Sequence, residues 1–268
     1  MSTPLLQVHD LTLKQGEKLL LNALKLSIHP GECWALLGRN GAGKTTLLHT
    51  LAGVRPASMG QIKLQEQPLS NWKPRQRARH VGLLTQDASE GFEANVLEAA
   101  QSGRHPHIER WSDGSDDDAK IVQQALDMCG LQGFEQRRVN SLSGGERRRL
   151  GIATLLAQNP PLMLLDEPLN HLDMQWQWCI LRQLASLAEH GHGLLMSLHE
   201  PNMALRSCTH ALLIKDNGTW QAGRVDELIT PANLAAVYGF KLRQIEDQHG
   251  LWLVPDLTPL CEPSSHCG

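Results

Sequence analysis

A glycine-rich stretch between an apolar segment and a helical pattern constrains this 268-residue chain more than any other feature. It has the spacing G-x-x-x-x-G-K-T, from Gly38 to Thr45. Glycine leaves no Cβ between the main chain and a ligand, so successive N–H groups can turn inward and form a cradle for an anion. The helix that follows adds its positive N-terminal end. The pattern therefore predicts a phosphate-binding loop, and a glycine-rich turn that merely opens a helix is the alternative.

Two side chains of this loop have predicted roles with a nucleotide. Lys44 is placed to reach the β and γ phosphates, and the Thr45 hydroxyl is placed to ligate the Mg²⁺ that accompanies them. The expected cofactors are thus ATP and Mg²⁺. The predicted nucleotide-binding residues of the loop are Gly38, Arg39, Asn40, Gly41, Ala42, Gly43, Lys44, Thr45 and Thr46.

Charge and hydropathy exclude several classes of protein. The net charge of −3 gives no overall basic field, so we expect no nucleic-acid partner. The basic stretch 73–80 is interpreted either as a solvated helix face or short loop or as a local polyanion site. No apolar run approaches the ~20 residues that span a bilayer, and residues 1–4 do not resemble a signal peptide. We therefore expect a cytoplasmic chain.

The cysteines indicate a reducing compartment, because the six are scattered without a paired framework. Three candidate ligands, Cys261, His266 and Cys267, lie near the end of the chain. They form either a metal site or, on a polar terminus rich in Pro and Ser, a frayed end.

Hydrophobic periodicity predicts an α/β protein with a mainly parallel sheet. The N-terminal segments 5–13 and 19–28 are expected to form an antiparallel hairpin, and Cys33–Leu37 is typical of a central strand covered on both faces. Residues 87–158 show helical patterns and no convincing strand, so an inserted helical lobe is predicted there. The further predicted strands are 61–64, 81–86, 162–165, 193–197, 211–215 and 218–222, and the further predicted helices are 43–52, 96–101, 117–129 and 173–190.

Two acidic residues, Asp166 and Glu167, end a buried apolar strand. Burying charge without a partner is costly, so carboxylates at the carboxyl end of such a strand are expected to meet a cation or water. Asp166 suits Mg²⁺, and Glu167 suits the attacking water as a general base. A loop that is acidic by chance is the alternative.

The segment Leu142–Glu146 opens another helix and has two interpretations. Ser143 and Glu146 have the spacing of a capping box, which satisfies two main-chain N–H groups without a ligand. Capping does not explain the adjacent Gly144 and Gly145, which suit close approach to a ligand. A second anion site at this helix start is therefore the sharper hypothesis.

These motifs occur in the order found in the ATP-binding cassette (ABC) ATPases, and residues 5–240 resemble that family. The resemblance implies a P-loop ATPase core. It also implies that Gln86 senses Mg²⁺ and the attacking water, and that His199 contacts the γ phosphate. Ser143, Gly144, Gly145 and Glu146 would touch ATP bound to the opposite subunit of a homodimer, whose interface would include Asp173.

The chain departs from the family pattern at two places. The family usually has an aromatic residue near Gln15 to stack on adenine, and none stands there, so a tight preference for ATP over GTP is not predicted. After Glu146, three arginines replace a more usual Gln-containing continuation. We interpret residues 147–149 as a solvated basic helix face.

The resemblance also implies partners. The interval from Gln86 to Ser143 leaves no room for the long coiled coil of chromosome-maintenance members, and one cassette disfavours the translation-factor branch. Segments 103–107 and 228–240 resemble ATPase subunits of importers for iron–siderophore complexes, haem and cobalamin. Such a subunit would bind membrane permeases at the cytoplasmic face of the inner membrane and serve a periplasmic or extracellular binding protein indirectly. The alternatives are a soluble nucleotide-switched protein without a permease and the motor of an exporter.

The expected domain organisation follows from these assignments. Residues 1–86 and 159–240 would form the nucleotide-binding core, and 87–158 the helical subdomain with the Ser-Gly-Gly motif. Residues 241–268 would form a closing strand pair and a tail.

Overall fold

The computed structural model of the chain describes residues 3–86, 94–108, 115–248 and 250–256. Its strands are β1 (Leu6–Gln15), β2 (Lys18–Ile28), β3 (Cys33–Gly38), β4 (Met59–Leu64), β5 (Gln67–Pro68), β6 (Val81–Leu84), β7 (Leu162–Leu165), β8 (Gly193–Ser197), β9 (His210–Ile214), β10 (Trp220–Arg224), β11 (Leu242–Asp247) and β12 (Gly250–Pro255). Its α-helices are α1 (Lys44–Leu51), α2 (Pro74–Arg77), α3 (Val96–Gln101), α4 (Asp116–Met128), α5 (Gly144–Gln158), α6 (Met174–Glu189), α7 (Pro201–Ser207), α8 (Val225–Leu228) and α9 (Pro231–Tyr238).

The phosphate loop follows a central strand of a six-stranded sheet with the order β10-β9-β3-β8-β7-β6. All neighbouring strands are parallel except β10, which pairs antiparallel with β9. Leu36 pairs with Ser197, and Leu84 pairs with Leu165. The carboxyl ends of these strands therefore lie at one edge, and the predicted mainly parallel sheet is confirmed.

A second sheet, with the order β2-β1-β4-β5, is antiparallel throughout. Leu6 pairs with Ile28 on one side and with Leu64 on the other. The predicted N-terminal hairpin is confirmed. The strand predicted at 61–64 is also present, and it joins this smaller sheet rather than the parallel one.

Both faces of the parallel sheet are covered, as the wholly apolar sequence of β3 predicts. Alternate side chains point to opposite faces of a strand. Cys33, Ala35 and Leu37 pack into the core under α5 and α6, whereas Trp34 and Leu36 pack against α1 and the antiparallel sheet. Every residue of β3 is buried, so the strand that delivers the phosphate loop is fixed from both sides.

Helices dominate the described residues between 94 and 158, where α4 packs against α5. The start of α4 is a capping box in which Ser115 Oγ accepts from the Asp118 N–H. Arg104 is buried and joins this helix to α5, because its Nε donates to Asp118 Oδ1 at 2.7 Å and its Nη1 donates to Ala157 O at 2.8 Å. The predicted helices at 96–101 and 117–129 are confirmed.

The C-terminal strand pair packs against α7. Asn202 and Leu253 exchange two hydrogen bonds, from Asn202 Nδ2 to Leu253 O at 2.9 Å and from Leu253 N to Asn202 Oδ1 at 2.8 Å. The Arg206 guanidinium also lies 3.7 Å from the centre of the Trp252 ring. The strand pair predicted from the resemblance is confirmed, while Cys261, His266 and Cys267 lie outside the described residues.

The basic stretch 73–80 contains the short helix α2 and contacts the helical region. Arg75 Nε and Arg79 Nε both donate to the carbonyl oxygen of Pro106, at 3.3 and 2.7 Å. Both side chains belong to exposed residues, which agrees with the solvated interpretation. Within the part of the chain that the structure describes, none of the helices combines the length and the apolar character needed to cross a membrane.

Candidate nucleotide-binding and hydrolysis site

The phosphate loop closes around the side chain of Lys44. Gly43 has φ +97°, a left-handed conformation that favours glycine, and α1 begins at the next residue. A Cβ on Gly38 would lie 2.8 Å from Ile214 O, so the close approach of β9 requires glycine there. The backbone conformation at Gly43 and the packing of β9 at Gly38 thus each require glycine.

Lys44 is buried at the base of the loop. Its Nζ donates to Gly38 O at 2.7 Å and to Arg39 O at 3.2 Å. Burial lowers the pKa of Lys44 below its ordinary value, while the nearby carboxylates of Glu167 and Asp166 oppose that shift. The lysine therefore lies at the base of the loop, close enough to the two acids for their charges to act on its pKa.

Asp166 follows β7 and is fully buried. Its Oδ1 accepts from Ser197 Oγ at 2.7 Å, whereas its Oδ2 is buried and has no hydrogen-bond partner among the described residues. A buried carboxylate oxygen without a donor is costly unless a cation or water satisfies it. Carboxylate oxygens are among the ligands that Mg²⁺ prefers. The site therefore fits the predicted metal.

Glu167 is held through its main chain and through both carboxylate oxygens. Its main-chain N–H donates to Ser197 Oγ at 2.7 Å, and its φ of +49° is uncommon for a residue other than glycine. Oε1 lies 2.9 Å from His199 Nε2, and Oε2 accepts from Asn170 Nδ2. The side chain is only 12% exposed. This carboxylate is thus fixed at the edge of the sheet where a nucleotide would bind.

Lys44 and Glu167 line a cleft of about 550 Å³, whereas the fully buried Asp166 is not among its lining residues. The cleft brings together members of the phosphate loop, Gln86, Glu167 and His199, which the sequence predicts to share one site. Its lining residues are Gln15, Asn40, Gly41, Gly43, Lys44, Thr45, Thr46, Gln86, Glu167, Asn170 and His199. Gln15 thus stands on the cleft wall where the family would place an aromatic residue.

The other predicted nucleotide-binding residues do not line this cleft. Ser143 and Glu146 form the predicted capping box, in which Ser143 Oγ accepts from the Glu146 N–H at 3.2 Å and Glu146 Oε2 accepts from the Ser143 N–H at 2.7 Å. Asp173 Oδ1 accepts from the Trp176 N–H at 2.9 Å and so caps α6. These helix starts therefore do not contribute to the lining of the cleft in their own chain.

Gly145 also has an explanation within the chain. A Cβ on Gly145 would lie 2.9 Å from His171 O, so the loop before α6 passes too close for any side chain. A Cβ on Gly144 would make only ordinary contact with the His171 side chain, at 3.7 Å. Close packing therefore accounts for one of the two adjacent glycines, and Gly144 stays exposed at the helix start.

Two residues that hold the site were not selected from the sequence. Asn170 orients Glu167, and the Ser197 hydroxyl links the main chain of Glu167 to Asp166. A polar residue at the end of a buried apolar strand was the available signal for Ser197, since it has the same placement as Asp166. Asn170 stands beside Glu167 in sequence without a spacing that identifies it.

The interpretation of residues 147–149 as a solvated basic face is wrong for two of the three. Arg148 is 5% exposed and Arg149 is 8% exposed. Arg149 Nη1 donates to Cys129 O and to Gly130 O, each at 2.7 Å, and its guanidinium lies 4.1 Å from the centre of the Trp176 ring. Main-chain carbonyl groups from distant segments accept hydrogen bonds from both guanidinium groups. These arginines can therefore be buried without losing their hydrogen-bond partners.

The geometry agrees with the comparison to protein families. The sequence profile described as ABC transporter matches residues 21–170, which is more than half of the chain. The chain therefore belongs to the ABC transporter family, and it is an ATPase of that family.

Individual relatives show which members of the family the chain is similar to. The chain is 37% identical over 240 residues to the hemin import ATP-binding protein HmuV of Pseudomonas entomophila. The aligned region covers 88% of this chain and 92% of that protein. It is 36% identical over 248 residues to the protein of the same name from Myxococcus xanthus, with 90% and 92% covered. Among solved structures, an inward-facing ABC transporter of metal-chelate type superposes with a TM-score of 0.81 at 28% identity, covering 94% of this chain and 97% of that one.

Proposed function

We propose that this chain is the ATP-hydrolysing subunit of an ABC importer that takes up haem or a related metal chelate. The proposal rests on the likeness to hemin import proteins along about nine-tenths of the chain. The structural likeness to a transporter of metal-chelate type supports the same class of cargo. Iron–siderophore complexes and cobalamin are the other chelates of this class.

In the proposed mechanism, the phosphate loop binds and orients the triphosphate. Main-chain N–H groups of residues 38–46 and the Lys44 ammonium contact the phosphates. Thr45, Gln86 and Asp166 would hold Mg²⁺, which supplies positive charge against the β and γ phosphates when it is bound. The unpaired Oδ2 of Asp166 supports this assignment.

Glu167 is the proposed general base for the attacking water. Its carboxylate is fixed by Asn170 and lies 2.9 Å from His199, so it can accept a proton without first reorienting. His199 lines the same cleft as Lys44 and is the proposed contact to the γ phosphate. Gln86 also lines this cleft, two residues after the end of β6, and is proposed to report occupancy of the metal site.

We further propose that hydrolysis requires two copies of the chain. Ser143, Gly144, Gly145 and Glu146 are not among the residues that line the cleft of their own chain. Ser143 and Gly144 are exposed at this helix start, which suits the γ phosphate of ATP bound to the other copy. Asp173 would then lie at the interface. ATP closes the pair, and loss of the γ phosphate lets it reopen.

The proposed assembly places the homodimer beneath two permease subunits at the cytoplasmic face of the inner membrane, where it contacts them through the helical subdomain 87–158. A periplasmic or extracellular substrate-binding protein would deliver the chelate without touching this chain. Residues 1–86 and 159–240 form the proposed nucleotide-binding core, and 241–268 the closing strand pair and tail.

Growth on defined iron sources tests the cargo. In the source organism, a strain that lacks the chain should fail to grow with hemin as the only iron source and should grow normally on a soluble ferrous salt. The wild-type chain should restore growth on hemin, and Glu167→Gln should not. Normal growth of the deletion strain on hemin would refute haem as cargo. Parallel cultures with a ferric siderophore as the iron source, or in a medium where growth depends on cobalamin, would then show whether one of these chelates is the cargo.

Purification of the unmodified chain from native membranes tests the partner. The importer proposal predicts that a polytopic membrane protein accompanies it in a fixed ratio. A chain recovered only without such a protein, with normal ATP turnover, would support a soluble nucleotide switch instead. In sealed vesicles, ATP-dependent hemin movement away from the cytoplasmic side would indicate an exporter.

A further inference from the structure

Arg148 is a buried cation whose side chain crosses from α5 to the ends of two strands of the parallel sheet. Its Nη1 donates to Thr85 O at 2.6 Å and lies 3.4 Å from Gln86 O. Its Nη2 donates to Asp166 O, and its Nε lies 3.4 Å from Pro168 O. One planar guanidinium therefore contacts the main chain just beyond the ends of both β6 and β7.

The residues on those two strand ends are the ones assigned to the metal and the attacking water. Gln86 follows β6, and Asp166 follows β7. Because Arg148 bonds to main-chain oxygens, it fixes the backbone from which both side chains project, and it does so without occupying the cleft. A lysine has a single ammonium group at the end of a flexible stem and cannot reproduce this fork.

The same arginine belongs to the helix that begins at the exposed Ser-Gly-Gly motif. Ser143 caps α5, and Arg148 lies a little more than one turn further along the helix. Any displacement of the start of α5 therefore moves the guanidinium relative to the two strand ends. The arrangement connects the part of the chain proposed to touch the partner's ATP with the metal end of the chain's own site.

We propose that Arg148 is a positioning residue for hydrolysis. It holds Gln86 and Asp166 in place relative to each other and couples them to the position of α5. The proposal rests on the function proposed above for this cleft. It also gives a role to a sequence feature that distinguishes this chain from the usual family pattern, in which Gln-containing sequence follows the Ser-Gly-Gly motif.

The neighbouring Arg149 provides a matched control. It is buried to a similar extent and it also donates to two main-chain carbonyls, but these belong to Cys129 and Gly130, in the loop after α4. Its other contact is the Trp176 ring of α6. Loss of the Arg149 side chain should therefore lower the stability of the fold by a comparable amount without disturbing the strand ends at the cleft.

The experiment compares Arg148→Met, Arg148→Lys and Arg149→Met in ATP turnover, in Mg²⁺ dependence and in thermal unfolding. For Arg148→Met we expect kcat to fall about 10- to 100-fold, as misplacement of reacting groups by about 1 Å produces. KM for ATP should stay within about threefold because the phosphate loop is unchanged, and half-maximal activity should need about 10-fold more Mg²⁺. Arg148→Lys should restore part of kcat, and Arg149→Met should lower Tm while leaving kcat and the Mg²⁺ dependence near the wild-type values.

A purely structural role for Arg148 predicts a different pattern. In that case Arg148→Met and Arg149→Met would lower Tm alike, and both would keep the wild-type kcat and Mg²⁺ dependence per folded molecule, which would overturn the proposal. If Arg148→Met does not fold, Arg148→Lys supplies the same comparison with a smaller expected loss of kcat. Glu167→Gln is measured alongside: an active Glu167→Gln would refute the assigned chemistry of the cleft, whereas an inactive one with a normal Arg148→Met would refute only the role of Arg148.

Discussion

His199 Nε2 lies 2.9 Å from Glu167 Oε1, and this contact joins the second residue after β8 to the second residue after β7 at the wall of the cleft. We expect Glu167→Gln to keep nucleotide binding and to lower ATP turnover about 10²- to 10⁴-fold, the usual contribution of a positioned acid or base. The amide keeps the shape of the side chain and loses only the basic oxygen. Turnover and nucleotide titration on the same preparation separate the two effects, and wild-type turnover would remove Glu167 from its proposed role.

Lys44→Ala should instead weaken nucleotide binding. The buried ammonium is the charged group at the base of the phosphate loop, and a charge-assisted hydrogen bond to a phosphate is worth enough to weaken nucleotide affinity about 10- to 100-fold when it is removed. Isothermal titration with a non-hydrolysable ATP analogue measures the change. Lys18→Ala is the control, because exposed Lys18 donates to Gly41 O at 3.1 Å from outside the cleft. Equal affinities for all three proteins would contradict the role of Lys44.

Ser143→Arg tests the shared site. A long cationic side chain at the start of α5 should block ATP-driven dimerisation, while each monomer still binds nucleotide in its own cleft. The substitution also removes a helix cap, which costs about 1 kcal/mol by itself. Ser115→Arg removes the matching capping box of α4 and so controls for that loss. Dimerisation is followed by light scattering of the Glu167→Gln protein with ATP, and an undiminished dimer in the Ser143→Arg background refutes the two-copy site.

Gln15→Tyr should strengthen ATP binding. Gln15 lines the cleft where the resemblance implies an aromatic contact to adenine, and stacking of a base on an aromatic ring is worth roughly 1–3 kcal/mol, or about 5- to 150-fold in affinity. The wild type, without that ring, should discriminate weakly between ATP and GTP. Competition titrations with both nucleotides measure this. A Gln15→Tyr protein with unchanged affinity for both would show that the base does not reach this wall.

The pair formed by Arg104 and Asp118 predicts a pH-dependent contribution to stability. The Ser115 N–H and the Arg104 guanidinium lower the pKa of Asp118 from 3.8 to about 2. A carboxyl group with a lower pKa in the folded state stabilises the fold at pH values above its unfolded pKa, and that contribution is lost as the pH falls through the folded pKa. We expect Asp118→Asn to lower the free energy of unfolding by about 1–2 kcal/mol at pH 7, and by clearly less at pH 3.

Urea unfolding at the two pH values checks this prediction. Asp117→Asn is the control, since Asp117 lies on the same turn of α4 but its side chain is 84% exposed in its pair with Lys120. A difference between wild type and Asp118→Asn that is the same at pH 3 as at pH 7 would assign the effect to something other than the charge of Asp118.

Much of the fold was predictable because its signals are local. The left-handed glycine at 43 and the cap at Ser143 depend on a few consecutive residues, and each appears where the spacing predicts it. The apolar run of β3 predicts a strand covered on both faces, and both faces are covered. The division of the chain at 86, 158 and 240 stays a prediction.

The rest of the site depends on contacts between distant segments. The burial of Arg148 follows from carbonyl oxygens at Thr85 and Asp166, which no pattern within the helix reveals. The Ser197 hydroxyl acts on Glu167 only because β7 and β8 are neighbours in the sheet. Charged residues on a helix usually indicate a solvated face, and that general rule produced the wrong interpretation of residues 147–149.

The reciprocal bonds between Asn202 and Leu253 attach the final strand pair to the helix that directly follows His199, while the pair remains a separate sheet. An appendage fastened in this way can be lengthened, exchanged or lost without changing the order of the main strands. Because only Glu200 separates His199 from that helix, sequence variation in the strand pair lies one short helix away from the cleft.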